Sequence, residues 1–272
     1  MKSFSNKVAV ITGAGSGIGR ALAQQLSAEG AQLALSDINE KGLKETQASL
    51  TGHTKVTITK LDVSDRQAFE NYSREVIDQF GQADLLFNNA GVALAQTVKQ
   101  CSYEDFEWLM NINFWGVVYG TKSFLPHMLS RPEAAIINVS SIFGIIALPT
   151  QSQYNAAKFA VRGFTESLRQ EVKNSNLFVS CVHPGGIKTN IVVNGRMHTS
   201  MIGEQTHAQQ IKEFNKMART TPTEAANTIL NGIRKNKRRI LIGQDAKFMD
   251  RIQRLFPEKY TSIFATALKL VS

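Results

Sequence analysis

Lys7-Val8-Ala9-Val10-Ile11 runs directly into Thr12-Gly13-Ala14-Gly15-Ser16-Gly17-Ile18-Gly19, and a helix-period stretch, Arg20–Glu29, follows at once. Apolar strand, glycine-rich turn and helix is the order that aims backbone N–H groups and the positive end of a helix at a phosphate. The pattern is Thr-Gly-x-x-x-Gly-x-Gly on Gly13, Gly17 and Gly19. The commoner Gly-x-Gly-x-x-Gly reading fails, because position 18 is Ile18. Each glycine lets backbone approach backbone or ligand with no Cβ in the way. Thr12, Gly13, Gly17, Ile18 and Gly19 are therefore candidate phosphate-site residues.

Further apolar runs follow at Gln32–Leu35, Val56–Thr59, Asp84–Phe87, Ala135–Val139 and Phe178–Val182. They are rich in Val, Ile and Leu and alternate little with polar residues, as strands buried on both faces do. Longer helix-period stretches lie between them. Ser64 with Gln67 and Ser102 with Asp105 read as capping boxes or close variants, and Thr221-Pro222-Thr223-Glu224 as a stronger one. Repeated strand–helix–strand units predict an α/β fold: a doubly wound, Rossmann-like parallel sheet flanked by helices, in one domain over 1–272. Such sheets bind ligands beyond the carboxyl ends of their strands, where strand order reverses.

Composition narrows the class. In 272 residues, 43% are hydrophobic and 19% charged, which excludes a disordered or collagen-like chain. Cys101 and Cys181 form no CxxC pair and no disulfide framework, so a reducing, cytoplasmic setting is expected. No apolar run reaches the roughly 18 residues of a membrane span. Folded-looking sequence begins at Lys7, so no signal peptide is expected. The five histidines are scattered and suggest no metal site.

Asp37 ends the second strand, 18 residues after Gly19. An acid there accepts hydrogen bonds from both ribose hydroxyls of an adenosine and repels a 2′-phosphate. Ile38-Asn39 follows and Ser16 precedes Gly17, so no cation offsets that repulsion, and the residues favour NAD over NADP. The competing role for Asp37 is a turn or N-cap of the next helix. Asp62-Val63 after the third strand and Asn89-Ala90-Gly91 after the fourth are candidate cofactor contacts, each an ordinary turn signal when taken alone.

Tyr154-Asn155-Ala156-Ala157-Lys158 puts Tyr and Lys four apart on one helix face, and Ser140-Ser141 ends the fifth strand 13 residues before Tyr154. With Thr12–Gly19, Asp62, Asn88–Gly91, Asn113 in Asn-Phe-Trp-Gly, Ser141, Tyr154 and Lys158, and Pro184-Gly185…Thr189 in this order, residues 7–190 resemble the NAD(P)-dependent short-chain dehydrogenase/reductase family. The resemblance implies a seven-stranded sheet, homodimers or homotetramers, and hydride transfer between a nicotinamide cofactor and an alcohol or ketone. It implies Tyr154 as general acid/base, Ser141 orienting the substrate oxygen, and Asn113 supporting a water-linked relay to Lys158. Lys158 and the oxidised nicotinamide would lower the Tyr154 pKa, and Lys158 would also hold the nicotinamide ribose. Pro184, Gly185, Ile187 and Thr189 would approach the carboxamide. His183 reads as a structural turn residue. A non-catalytic nucleotide-binding protein on the same fold is the reading from another class, and an NADP-linked carbonyl reductase is the nearest enzymatic competitor.

Residues 190–220 are the expected substrate lid. Ile191, Val192, Val193, Met197, Met201 and Ile202 there, with Phe143 and Ile145–Leu148 after Ser141, suit a hydrophobic substrate. A lid packing on its own core would look the same. Charge is uneven: residues 1–204 carry 18 Lys+Arg against 17 Asp+Glu, residues 205–272 carry 13 against 5. The 244–272 extension is expected to be helical, with Phe248, Met249, Ile252, Leu255, Phe256, Ile263, Phe264, Leu268 and Leu270 beside Arg251 and Arg254. It could pack on a second subunit, meet an acidic substrate group, or lie on an anionic membrane as a peripheral contact. No nucleic-acid-binding motif accompanies the charge.

Overall fold

The computed structural model describes residues 1–199 and 206–269. Nine strands occur among them: β1 (Val8–Thr12), β2 (Gln32–Asp37), β3 (Val56–Lys60), β4 (Leu85–Asn88), β5 (Leu94–Ala95), β6 (Ala134–Val139), β7 (Leu177–Pro184), β8 (Arg196–Met197) and β9 (Arg239–Ile242). The helices are α1 (Gly17–Ala28), α2 (Glu40–Ala48), α3 (Arg66–Phe80), α4 (Tyr103–Met110), α5 (Gly116–Ser130), α6 (Ser152–Glu171), α7 (His207–Met217), α8 (Pro222–Arg234), α9 (Gln244–Leu255) and α10 (Tyr260–Lys269). Seven strands pair in the order β3-β2-β1-β4-β6-β7-β9, every neighbouring pair parallel. The predicted doubly wound, Rossmann-like single-domain sheet is thus present, and its order reverses between β1 and β4.

The unbroken apolar runs have a simple cause. Successive residues of β1 and β2 point to opposite faces, and both faces are covered. Ala9, Ile11, Leu33 and Leu35 pack with Leu22 and Leu26 of α1 and Ile229 and Ile233 of α8. Val10, Ala34 and Ile136 pack with Phe69 and Tyr72 of α3 and Phe124 and Met128 of α5. At the amino ends of the strands, the buried Asp84 carboxylate accepts from Val8 N (2.9 Å) and from Arg131 Nε (3.0 Å), tying β1 to the β4 entry.

Two capping assignments come out differently. Ser102 caps α4 by accepting from Asp105 N (3.1 Å). Ser64 does not cap α3. Asp65 takes that place by accepting from Ala68 N, and the Ser64 hydroxyl instead donates to Asp62 Oδ1 (2.6 Å). Thr221 and Glu224 form the full reciprocal box at α8, with Pro222 at its first position. Thr221→Ala should cost about 1 kcal/mol of stability, read as a lower urea midpoint at unchanged slope; an unchanged midpoint would show that the box contributes nothing.

The segment after β7 leaves and re-enters the fold at one place. Ile187 and Thr220 form a parallel bridge, with Lys188 N donating to Thr220 O (2.9 Å). Between them β8 pairs with β5, and His207 Nε2 lies 2.9 Å from Val192 O. Met201 and Ile202 lie outside the described residues, as does Leu270. After β9, Arg239 joins three elements by bonding Glu166 on α6 (3.0 Å) and Asp250 on α9 (3.1 Å). The Tyr260 hydroxyl accepts from Ala147 N (3.1 Å), and Phe264 packs on Ile142, Ile145 and Ile146. The C-terminal extension is therefore helical and lies against the loop that follows β6.

Candidate active site

The glycine turn joins β1 to α1 at the carboxyl end of the sheet. Gly13 and Gly17 hold φ of 66° and 53°, in the left-handed region that favours glycine. A Cβ at Gly13 would stand 2.8 Å from Ala90 Cα, and one at Gly17 would stand 3.0 Å from Thr189 Cγ2. A Cβ at Gly19 would collide with the Gly13 carbonyl oxygen. Thr12 and Asn89 fix this turn from beneath. Thr12 Oγ1 accepts from Asn89 N (3.0 Å) and Ala90 N (3.1 Å), and Asn89 Nδ2 donates to Thr12 O (2.9 Å) and Gly13 O (3.2 Å). Both side chains are spent on the turn itself.

The first turn of α1 has no side-chain cap. Its amides at Gly17, Ile18 and Gly19 are left for an anion, at the positive end of the helix. A cleft lined by Gly15, Ser16, Gly17, Asn39, Lys188, Thr189 and Asn190 opens beside them. An uncapped helix start, a turn with no space for side chains and an adjoining cleft fit the diphosphate of a dinucleotide.

Asp37 reaches this turn. Its Oδ2 accepts from Gly15 N (2.8 Å) and its Oδ1 from Asn39 N (2.9 Å). Asn39, not Asp37, caps α2 by accepting from Gly42 N. Arg20, the nearby cation, donates to the carbonyls of Gly15 (2.5 Å) and Gly42 (3.2 Å) and pairs with Glu45 (2.9 Å). Asp62, exposed, accepts from Ser64 N, while Val63 is buried against Gly116.

At the carboxyl ends of β4 and β6 the structure brings Asn113, Ser141, Tyr154 and Lys158 into one neighbourhood. Tyr154 and Lys158 lie buried on α6, with Lys158 Nζ 5.7 Å from the Tyr154 ring centre. A Cβ at Gly91 would stand 3.0 Å from Asn113 Oδ1 and 3.4 Å from Lys158 Nζ, so Gly91 separates these two. Asn113 lies in a π-helical stretch, Asn111–Trp115, and its amide is paired with the Val92 backbone (2.8 and 2.9 Å). Lys158 Nζ donates to Val139 O (3.1 Å). Burial pushes the Tyr154 phenol up to about 12, opposed by a hydrogen bond with Ser141, and lowers Lys158 to about 8. In the chain alone burial dominates, and Tyr154 stays protonated at neutral pH.

Several supporting residues gave no clear signal in the sequence. Ser140 Oγ donates to Lys158 O (2.8 Å). Asn88 Nδ2 donates to Asn138 Oδ1 (2.8 Å), and Asn138 Nδ2 to Thr165 Oγ1 (3.0 Å), a buried polar row from β4 through β6 to α6. Asparagines inside otherwise apolar strands are the clue that could have found them. Asn155 Nδ2 donates to the carbonyls of Phe143 and Ile146, both at 2.7 Å, and so shapes the loop after Ser141. Asp245 on α9 accepts from Gly186 N (2.7 Å), beside Pro184 and Gly185. Ile187 is buried in the core against α8. Among the described residues no group of three His, Cys, Asp or Glu is placed to hold a metal ion.

His183 is more than a turn residue. It is fully buried, its Nδ1 lies 2.9 Å from Ser141 O, and its Nε2 has no partner among the described residues. Burial lowers its pKa to about 4, so the ring is neutral and Nδ1–H is the donor. Because the folded pKa lies below the ordinary value of about 6.5, this residue's contribution is complete above that pH and is lost as pH falls towards 4. Wild-type protein should lose about 2 kcal/mol through this group between pH 7 and pH 5. His183→Asn, whose amide can reach the same carbonyl without titrating, should flatten that limb in urea unfolding. Parallel acid limbs for the two proteins would rule the effect out.

With this geometry in place, the comparisons are direct. The short chain dehydrogenase family profile matches residues 7–199. The Mycobacterium tuberculosis protein SadH, named as an oxidoreductase, is 44% identical over 274 residues, covering 98% of this chain and 97% of its own. Mouse dehydrogenase/reductase SDR family member 7B is 32% identical over 243 residues, covering 87% and 73%. The crystal structure of a Burkholderia phymatum short chain dehydrogenase/reductase in complex with NAD is 29% identical with a TM-score of 0.85, covering 95% of this chain and 96% of its own. Sheet order, glycine turn and matched sequence agree, and the chain belongs to the short-chain dehydrogenase/reductase family of oxidoreductases.

Proposed function

We propose that the protein is an NAD-linked oxidoreductase of hydrophobic secondary alcohols and ketones, with Tyr154 as general acid/base. The observation that carries this reading is the clustering of buried Tyr154 and Lys158, one helical turn apart on α6, with Ser141 and Asn113 at the carboxyl ends of β4 and β6. The cofactor, when bound, would supply the hydride chemistry and, when oxidised, a positive charge. Ser141 and Tyr154 would hold the substrate oxygen between them. In ketone reduction Tyr154 gives its proton to that oxygen as the carbon gains a hydride. In alcohol oxidation the same oxygen returns the proton. Lys158 would stabilise the tyrosinate left behind, and Asn113, beyond Gly91, would support proton return.

Gly13, Gly17, Ile18 and Gly19 would hold the diphosphate, with Thr12 and Asn89 bracing their turn. Asp37 would take the adenosine ribose hydroxyls. Arg20 is engaged with Glu45 and two carbonyls and Lys188 is the other cation of the cleft, so it is the Asp37 carboxylate at the turn that supports NAD over NADP. Asp62, Val63, Ala90 and Gly91 would border the adenine and ribose, and Pro184, Gly185, Ile187 and Thr189 the nicotinamide end. Apolar walls support a hydrophobic substrate: Phe143 stands edge-on to Tyr154 (6.0 Å between centres), and Leu94, Leu109 and Trp108 cluster there. Residues 190–220 would act as the lid. A second copy would pack on the helix face where exposed Trp115 stacks on Tyr119 and Phe159 stands on the adjoining α6.

The test is nicotinamide absorbance during turnover of a panel of secondary alcohols and ketones of rising chain length, with NAD and NADP in parallel. Turnover with NAD that rises with chain length supports the reading. Turnover with NADP alone overturns the cofactor assignment, and a flat kcat/KM overturns the hydrophobic substrate. Cofactor binding without any turnover would favour the non-catalytic alternative.

A further inference from the structure

We propose that the outward face of α9 and the turn after it form a docking surface for an anionic lipid membrane. The sidedness of the helix carries this inference. Lys247, Phe248, Arg251, Arg254 and Leu255 fall within about 120° of its circumference at 3.6 residues per turn, and all five are exposed. Phe248 is 56% exposed, Leu255 71% and the following Phe256 46%. Both acids of the helix are turned inward. Asp245 accepts from Gly186 N, and Asp250 is buried in bonds to Arg239 and Arg254. Lys247, Arg251 and Lys259 make no ion pair among the described residues, and Glu258 is the exposed acid between them.

Large apolar side chains flanked by unpaired cations match the boundary between acyl chains and anionic headgroups. The other occupants fit less well. A two-fold contact between copies sets a patch against itself, which would bring Lys247, Arg251 and Lys259 towards their own like charges. The face around Trp115 and Phe159 lacks that difficulty. Nucleic acid would use the cations and leave Phe248, Leu255 and Phe256 unexplained. No helix among the described residues is long and apolar enough to cross a membrane, so the contact would be peripheral. Tyr260 and Phe264 hold the loop after Ser141, so docking would bring that loop close to the lipid surface. This inference does not depend on the cofactor or substrate proposed above.

The full chain would be sedimented with vesicles of phosphatidylcholine alone and with added phosphatidylserine, at low and high salt. Binding is expected only to the phosphatidylserine vesicles, weakening as salt rises. Joint Lys247→Gln, Arg251→Gln and Lys259→Gln should weaken it about a hundredfold, at roughly fivefold per cation near an anionic surface. Joint Phe248→Ser, Leu255→Ser and Phe256→Ser should also weaken it at least tenfold. These side chains are exposed, so circular dichroism and the thermal midpoint should hold, which separates lost docking from lost folding. No pelleting with phosphatidylserine at low salt would overturn the proposal. So would a shift of the serine variant from dimer to monomer in sedimentation velocity. Duplex DNA binding that the serine changes leave untouched, without vesicle binding, would overturn it as well.

Discussion

Tyr154→Phe should lower kcat by about 10²- to 10⁴-fold while leaving cofactor affinity and the thermal midpoint near wild type. The size follows from the usual worth of a positioned acid or base. The selectivity follows from the site: the ring stays seated edge-on to Phe143, and only the hydroxyl that meets Ser141 is removed. Tyr154 is held near pKa 12 by burial, so in the free protein it remains protonated across the neutral range. Steady-state rates with a ketone and reduced cofactor, paired with a cofactor titration, separate the possibilities. Equal loss of kcat and of cofactor affinity would mean that Tyr154 supports the site rather than the proton transfer. The effects of Tyr154→Phe and Ser141→Ala should not add if, as proposed, the two hydroxyls hold one substrate oxygen.

The second large effect lies at the other end of the cofactor. Asp37→Ser should shift the ratio of kcat/KM for NAD over NADP towards NADP by up to about a thousandfold. A carboxylate about 4 Å from a phosphate opposes it by about 4 kcal/mol at a surface-like dielectric, and a tenfold change corresponds to about 1.4 kcal/mol. Most of the shift should be a gain with NADP, and activity with NAD should also fall, because Asp37 supports the turn through Gly15 N. An unchanged ratio would place the adenosine ribose away from Asp37.

The fold was legible because its strands are covered on both faces. Val8–Thr12 contributes alternate residues to two cores, so the run reads as continuous hydrophobicity in either register. The glycine turn was legible because packing against Ala90 and Thr189 leaves no space for side chains. Less was readable where a residue's partner lies far along the chain. Ser64 has the composition of a cap, but a neighbouring Asp65 competes for the same amide and takes it. Asn89 reads as a cofactor contact, and the brace that its Nδ2 also supplies to Thr12 and Gly13 has no signal in the sequence. His183 and Asp245 act through partners 42 and 59 residues away, and no periodicity signals such a contact. The Tyr154–Lys158 spacing was visible, but the weight of burial against charge in setting the phenol's proton affinity depends on the packed site.

The parallel bridge between Ile187 and Thr220 has a consequence for how this chain can change. Everything from Lys188 to Arg219 departs from and returns to this one bridge, so it is an insert whose two ends already touch. Doubling the length of such an insert adds only about 0.6 kcal/mol of closure entropy, and the seven-stranded sheet runs outside it. The segment can therefore be exchanged as a cassette that carries Lys188 and Thr189 over unchanged, since both line the cleft beside the glycine turn and Thr189 packs on Gly17. Retaining Leu94–Ala95 as the landing site for a replacement strand should let the seven-stranded sheet fold as before.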